Sequence, residues 1–185
     1  GQVTPVHCYS SWRAVELFVN GQSQGIRTKN EKNLLDRYRL SWSGVRYEPG
    51  ELKAVAYDSD GNPVKESVVR TAGEPTGVRL TVDHESIRAD GDDMAFITVE
   101  IVDSEGLLCP RADDLVLFHA DGPIEIAAVG NGDATSLEPF QAEQRKAFNG
   151  KCVVYLRSAT GRTGTATLHA ESKGLRGASV KIKTV

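Results

Sequence analysis

Cysteine is scarce in this chain: Cys8, Cys109 and Cys152 are the only three among 185 residues. Thiols so few and so scattered make neither a disulfide framework nor a zinc site. The expectation is three buried free thiols, with a Cys109–Cys152 bridge the other option. Long apolar runs are missing as well. No stretch approaches the about 18 apolar residues that a bilayer-crossing helix needs, so no membrane-spanning segment is expected. Basic excess is also absent: 22 Lys and Arg face 25 Asp and Glu, a net charge of −3. Through Thr76 the chain carries ten basic and nine acidic residues, and after it twelve and sixteen. Without a basic patch, no nucleic-acid partner is expected.

The chemistry-bearing motifs are equally thin. No Gly-x-Ser-x-Gly elbow occurs, and no Gly-rich loop leads from a strand into a helix, which argues against nucleophilic catalysis and nucleotide binding. His7, His84, His119 and His169 are scattered, without a His-x-His or His-x-x-x-His pair. His169 falls on the outward phase of its strand and reads as solvated. Glycosidase chemistry needs two carboxylates at a set separation. The acidic residues that stand out here (Asp58, Asp60, Asp90, Asp92, Asp93, Asp103 and Asp133) all sit in turn-like sequence, where Asp caps local backbone N–H groups. Asp90–Asp93 is dense enough to raise calcium but lacks an EF-hand ladder, so a metal-free turn is favoured. No catalytic, cofactor-binding or metal-binding residue is assigned.

What the chain does have is alternation. In Ala14–Gly21 (AVELFVNG), Val15, Leu17 and Val19 alternate with Glu16 and Asn20, the period of a half-buried strand. Asn20-Gly21 then predicts a two-residue hairpin into Gln22–Ile26, because a type I′ turn needs two left-handed residues. A first strand is expected over Gln2–Ser10, broken by Pro5. Arg27–Asp36 is polar, a loop or one helical turn. Over Arg37–Ser43, Tyr38, Leu40 and Trp42 share one face, which places Trp42 in a core. Tyr47-Glu48-Pro49-Gly50 is a turn, Glu51–Asp58 a strand, Asp60-Gly61 a turn, and Pro63–Thr71 a strand.

Ala72–Thr76 interrupts the pattern, and a domain boundary is expected near Glu74. Strands then recur over Gly77–Asp83, Ala95–Asp103, Leu115–Ala120, Ile124–Val129, Lys151–Ser158, Gly164–Glu171 and Leu175–Lys183. The stretch from Asn131 to Gly150 reads as irregular. Regular strand spacing with turns between predicts an all-β chain of two consecutive immunoglobulin-like β-sandwich domains, residues 1–74 and 75–185. The chain opens on Gly1-Gln2 and holds one methionine, Met94. It is expected to be a piece of a longer protein, with Gly1 an appended residue. One surface aromatic stands out: Trp12, between Ser11 and Arg13, is either a sugar-stacking platform or packed against a strand end or a neighbouring domain.

Two motif sets carry a resemblance. Val15–Gly25 (VELFVNGQSQG) and Tyr47–Tyr57 (YEPGELKAVAY), with Leu40 and Trp42 between them, resemble the β-sandwich that follows the catalytic barrel in bacterial glycoside hydrolase family 2 enzymes of the β-galactosidase type. Ala89-Asp90-Gly91, Ile97–Val99, Val129–Asp133, Ala147–Lys151 and Ala170–Leu175 resemble the next module of the same enzymes, itself similar to invasin-type immunoglobulin-like repeats. The resemblance implies a parent that hydrolyses terminal β-galactosides or related β-glycosides with two glutamates on a (β/α)₈ barrel. No position here matches those glutamate motifs. It further implies an accessory role beside the barrel and other domains of the parent chain, in a periplasmic, cell-surface or secreted bacterial protein. A carbohydrate-binding pair, with Trp12 in contact with sugar, and adhesin-type surface repeats are the alternatives. Trp12-Arg13, where small polar residues are usual, and Cys109 depart from the family pattern.

Overall fold

The computed structural model describes all 185 residues, and the chain is all-β, without a helix. It divides into two compact units, Gly1–Thr71 and Ala72–Val185. The division falls just before the expected cut at Glu74. Its physical reason is Asp103, whose Oδ2 accepts the Gly73 N–H at 2.7 Å and ties that residue to the second unit.

The first unit holds six strands: β1 (Val6–Cys8), β2 (Ala14–Val19), β3 (Gln22–Thr28), β4 (Leu40–Trp42), β5 (Glu51–Tyr57) and β6 (Pro63–Arg70). A four-stranded antiparallel sheet runs β3-β2-β5-β6, and β1 and β4 form a separate two-stranded ribbon. Val15, Leu17 and Val19 are buried while their alternates are half-exposed, so β2 presents one apolar face as its sequence dictates. That face meets Leu40, Trp42, Val45 and Ala56 in a small core. Every residue of β6 is exposed, and it begins at Pro63; an edge position tolerates both.

The Asn20-Gly21 turn has both residues at positive φ, 48° and 79°, as a type I′ hairpin requires. Asn20 does more than turn the chain. Its Oδ1 accepts the Glu51 N–H at 2.7 Å, and its Nδ2 donates to the Pro49 carbonyl at 3.2 Å. Hairpin and Tyr-Glu-Pro-Gly turn are thereby clamped together. Gly50 sits at φ 134°, and a Cβ there would collide with the Asn20 side chain, so glycine is required twice over. Along β3 the register slips opposite Leu17, a bulge that contains Gly25 at φ 88°. The Gly25 carbonyl accepts the buried Trp42 indole N–H at 3.0 Å.

Two expectations in this unit need correction. Trp42 and Leu40 are core residues, but Tyr38 is 62% exposed and lies outside β4. Asn33 Oδ1 accepts the Leu35 and Asp36 N–H groups, holding the preceding stretch in turns and cutting the alternation short. The first strand is confined to Val6–Cys8, with only a single bridge, Val3 to Arg46, before it. Proline removes the ladder donor between them.

The second unit holds nine strands: β7 (Gly77–Val82), β8 (Ser86–Ile87), β9 (Met94–Val102), β10 (Leu115–Asp121), β11 (Ile124–Gly130), β12 (Gln144–Lys146), β13 (Lys151–Ser158), β14 (Gly164–Ser172) and β15 (Ala178–Thr184). They form a four-stranded sheet, β11-β13-β9-β7, and a five-stranded sheet, β12-β10-β14-β15-β8. Inward residues of both sheets, among them Ile97, Val99, Ile101, Val116, Val154, Leu156, Leu168 and Ile182, make one fully buried core. Two sheets packed on such alternating faces form a sandwich. The stretch from Asn131 to Gly150 is not wholly irregular: β12 lies within it, and the Arg145 side chain points inward. Cys8, Cys109 and Cys152 are free thiols, the first half-buried and the others buried, and no Cys109–Cys152 bridge forms. Burial pushes the Cys152 thiol up to about 12, in spite of the nearby Arg145 charge.

Candidate functional site

The turns engage the aspartates on which carboxylate chemistry would depend. Asp58 Oδ1 accepts the Asp60 and Asn62 N–H groups, and Asp90 Oδ1 accepts those of Asp92 and Asp93. Asp103 accepts from Gly73, Glu105 and Leu107. Asp133 Oδ1 accepts from both the hydroxyl and the N–H of Thr135. These bonds favour the charged form and pull each carboxyl below the usual aspartate range. Asp93, bonded to the Arg88 N–H, is lowered in the same way. A glycosidase general acid needs the opposite shift, a carboxyl held protonated near neutral pH. The aspartates of these loops are caps.

Strand register assembles one histidine pair that linear spacing conceals. His119 on β10 lies directly opposite His169 on β14. Both Nε2 atoms face Asp121, at 3.1 Å from Oδ1 and 3.3 Å from Oδ2, and the rings stack 6.3 Å apart. His169 points outward, as its strand phase predicts. All three side chains are largely exposed, so any ion pairing is screened by solvent and contributes little. The three do not make a group that could hold a metal ion. Only His119-Ala120-Asp121 was visible as a local signal; its partner lies fifty positions away.

Trp12, the one surface residue singled out from the sequence, is 40% exposed in the connection after β1. Its N–H is accepted by Ser10 Oγ at 3.0 Å, which fixes the local turn. Lys29 N–H donates to the Arg13 carbonyl at 2.9 Å, and Lys29 Nζ bonds the Ser10 carbonyl. Asn30 N–H reaches the Asp36 carbonyl at 3.3 Å, while Cys8 opposes Leu40. These bonds bring residues 9–13 and 29–39 to the same end of the first unit. Exposed Tyr9, Leu34, Leu35 and Tyr38 belong to the same two loops. Sequence reasoning missed these four. Leu34-Leu35 was the available signal, since two adjacent leucines in a polar stretch cannot both face a core. These loops expose Tyr9, Trp12, Leu34, Leu35 and Tyr38 among the charged Arg13, Glu31, Lys32 and Arg37, whose guanidinium lies 4.6 Å from the Tyr38 ring centre.

Comparison with known proteins identifies the family. Residues 78–181 match the glycoside hydrolase family 2 C-terminal domain 5. Residues 1–65 match a domain of unknown function, DUF4982. The chain is 46% identical over 183 residues to the β-galactosidase BoGH2A of Bacteroides ovatus, covering 98% of this chain and 21% of that protein. It is 29% identical over 188 residues to a β-glucuronidase of Formosa agariphila, covering 100% of this chain and 18% of the relative. A solved glycosyl hydrolase family 2 member from Bacteroides cellulosilyticus superposes with a TM-score of 0.89 at 36% identity, covering 98% of this chain and 23% of that one. The chain thus spans about a fifth of the length of the relatives it matches. It belongs to glycoside hydrolase family 2, within the C-terminal part of that family's architecture.

Proposed function

We propose that this region is a non-catalytic accessory part of a β-galactosidase-like glycoside hydrolase, and that it buttresses and positions the catalytic portion of its parent. The 46% identity to a β-galactosidase across nearly the whole chain is the observation that carries the reading. The parent's reaction on this reading is hydrolysis of a terminal β-galactoside or related β-glycoside. Support for the accessory role comes from the aspartates, whose lone pairs are committed to turn N–H groups, and from the apolar side chains that the loops expose. A buttress acts through packing: it raises the stability of its neighbour in proportion to the apolar area covered.

Removing residues 1–185 from the parent tests this. The truncated enzyme should melt at a lower temperature and lose aryl β-galactoside turnover on mild heating, well before the intact one. An unchanged melting curve and unchanged heat tolerance would defeat the buttress reading.

A second reading has one specific observation behind it. Trp12, Tyr9 and Tyr38 are exposed aromatics in loops at the same end of the first unit, and sugar rings stack on such faces. On that reading the unit tethers the enzyme to polysaccharide. Retardation of the isolated chain in a galactan affinity gel, abolished by Trp12→Ala, would establish it over the buttress.

A further inference from the structure

The loop between β11 and β12, residues 131–143, is thirteen residues long and has no strand of its own. Loops of that length either wander or serve a purpose. This one does not wander. Arg145, whose side chain is only 2% exposed, reaches out from the core side and donates to the Glu138 carbonyl at 2.9 Å and to Asn131 Oδ1 at 3.1 Å. Its Nε faces Glu138 Oε2 at 3.7 Å. Asn131 Nδ2 donates to the Lys146 carbonyl, and the Val129 N–H is accepted by the Phe140 carbonyl at 2.7 Å. A buried guanidinium is costly to leave unpaired, and both hydrogen bonds that it makes here go into holding a surface loop still, while its Nε has no hydrogen-bond partner.

The side chains that this loop displays are apolar. Leu137 is 99% exposed and Phe140 is 67% exposed, the latter with the Arg145 guanidinium 5.3 Å from its ring centre. A flexible loop with an exposed leucine would be unremarkable. A loop fixed by a buried arginine that points leucine and phenylalanine at solvent is preorganised for contact, since its ordering cost is already met before a partner arrives. The surroundings give that partner its chemistry. Residues 131–143 carry Asp133, Glu138 and Glu143 and no Lys or Arg, and the cation beside Phe140, Arg145, is itself buried, so the charge that the loop displays is acidic.

We propose that Leu137 and Phe140 dock into an apolar recess bordered by Lys or Arg on the remainder of the parent polypeptide. The occupant is assigned to the same polypeptide because about four-fifths of each matched relative lies outside the aligned region. The loop's acidic charge selects basic edges by complementarity. This rests on the buttress reading and names a surface through which it acts.

Hydroxyl-radical footprinting with mass-spectrometric readout tests the assignment, applied to the 185-residue chain and to the intact parent. In the isolated chain Leu137 and Phe140 should oxidise readily. In the parent both should be protected by about fivefold or more, as side chains moved into an interface core are. Ile97 and Val154, fully buried, should stay unlabelled in both and report that the sandwich is folded. Equal labelling of Leu137 and Phe140 in the parent and in the isolated chain overturns the proposal. Protection in the isolated chain that grows with its concentration also overturns it, in favour of a second copy as occupant. Failure of the underlying reading is separable. If the truncated parent is no less stable but the footprint is present, docking stands and the buttress falls; a destabilised truncated parent with no footprint removes only this surface.

Discussion

The first unit closes its core with seven buried apolar residues, whereas the second uses twenty. The larger set comes from two sheets facing each other with clean alternation, so the sandwich is held by burial. The smaller set comes from one four-stranded sheet and a two-stranded ribbon, and a core of that size leaves little margin. Specific polar ties make up part of the difference. Asn20 clamps the hairpin to the Pro49-Gly50 turn, Thr71 Oγ1 accepts the Gly50 N–H, and the Trp42 indole bonds the bulged Gly25 carbonyl. The two units therefore differ in what breaks them: one in single named contacts, the other in core volume.

Removing Trp42 should separate them most sharply. Trp42→Ala empties the largest member of a seven-residue core, at a cost of about 3–5 kcal/mol. In scanning calorimetry the transition of the first unit should vanish or fall far below that of the second, which should keep its temperature. A common shift of both transitions would mean that the units unfold together and the comparison is false. Leu156→Ala, in the centre of the larger core, should cost about 3 kcal/mol. That unit should nonetheless remain folded at room temperature, with dispersed amide resonances. Collapse to a molten state would show that its twenty residues offer no more reserve than seven.

A smaller effect probes the polar ties. Asn20→Val forces a β-branched residue to φ 48° and deletes both clamp bonds, for a loss of about 2 kcal/mol from the first unit alone. An unchanged melting temperature would remove the clamp from the account. The smallest effect is pH-dependent and belongs to the second unit. The backbone N–H groups of Gly73, Leu107 and Glu105 hold the Asp103 carboxyl below its ordinary value. A folded value below the unfolded one gives stability that is complete above the unfolded value of about 3.9 and is lost as pH falls through the depressed folded value. Asp103→Asn should flatten the acid limb of the stability profile below about pH 4 and leave the first unit's acid limb untouched. A steeper acid limb in the variant would reverse the sign and refute this role.

Local signals were legible in the sequence, and non-local ones were not. The strand over Ala14–Val19 and its Asn-Gly turn depend on alternation and on left-handed residues, both written in adjacent positions. Tyr38 misled because its alternation with Leu40 and Trp42 is real in the sequence, yet Asn33 diverts the backbone into turns just before it. Gln144-Arg145-Lys146 reads as a polar loop; only the pairing of β12 with β10 turns the middle arginine inward. The His119–Asp121–His169 group likewise exists only through register. Of the candidate site, Trp12 was legible as a surface aromatic, while Tyr9, Leu34, Leu35 and Tyr38 joined it only once residues 9–13 and 29–39 were brought together by backbone bonds.

On the proposed accessory reading, residues 1–185 contribute contact and no chemistry. Incubating the purified chain with an aryl β-galactoside and following release of the phenol tests it most directly. The account predicts release indistinguishable from that of a boiled sample. Turnover that boiling abolishes would contradict it.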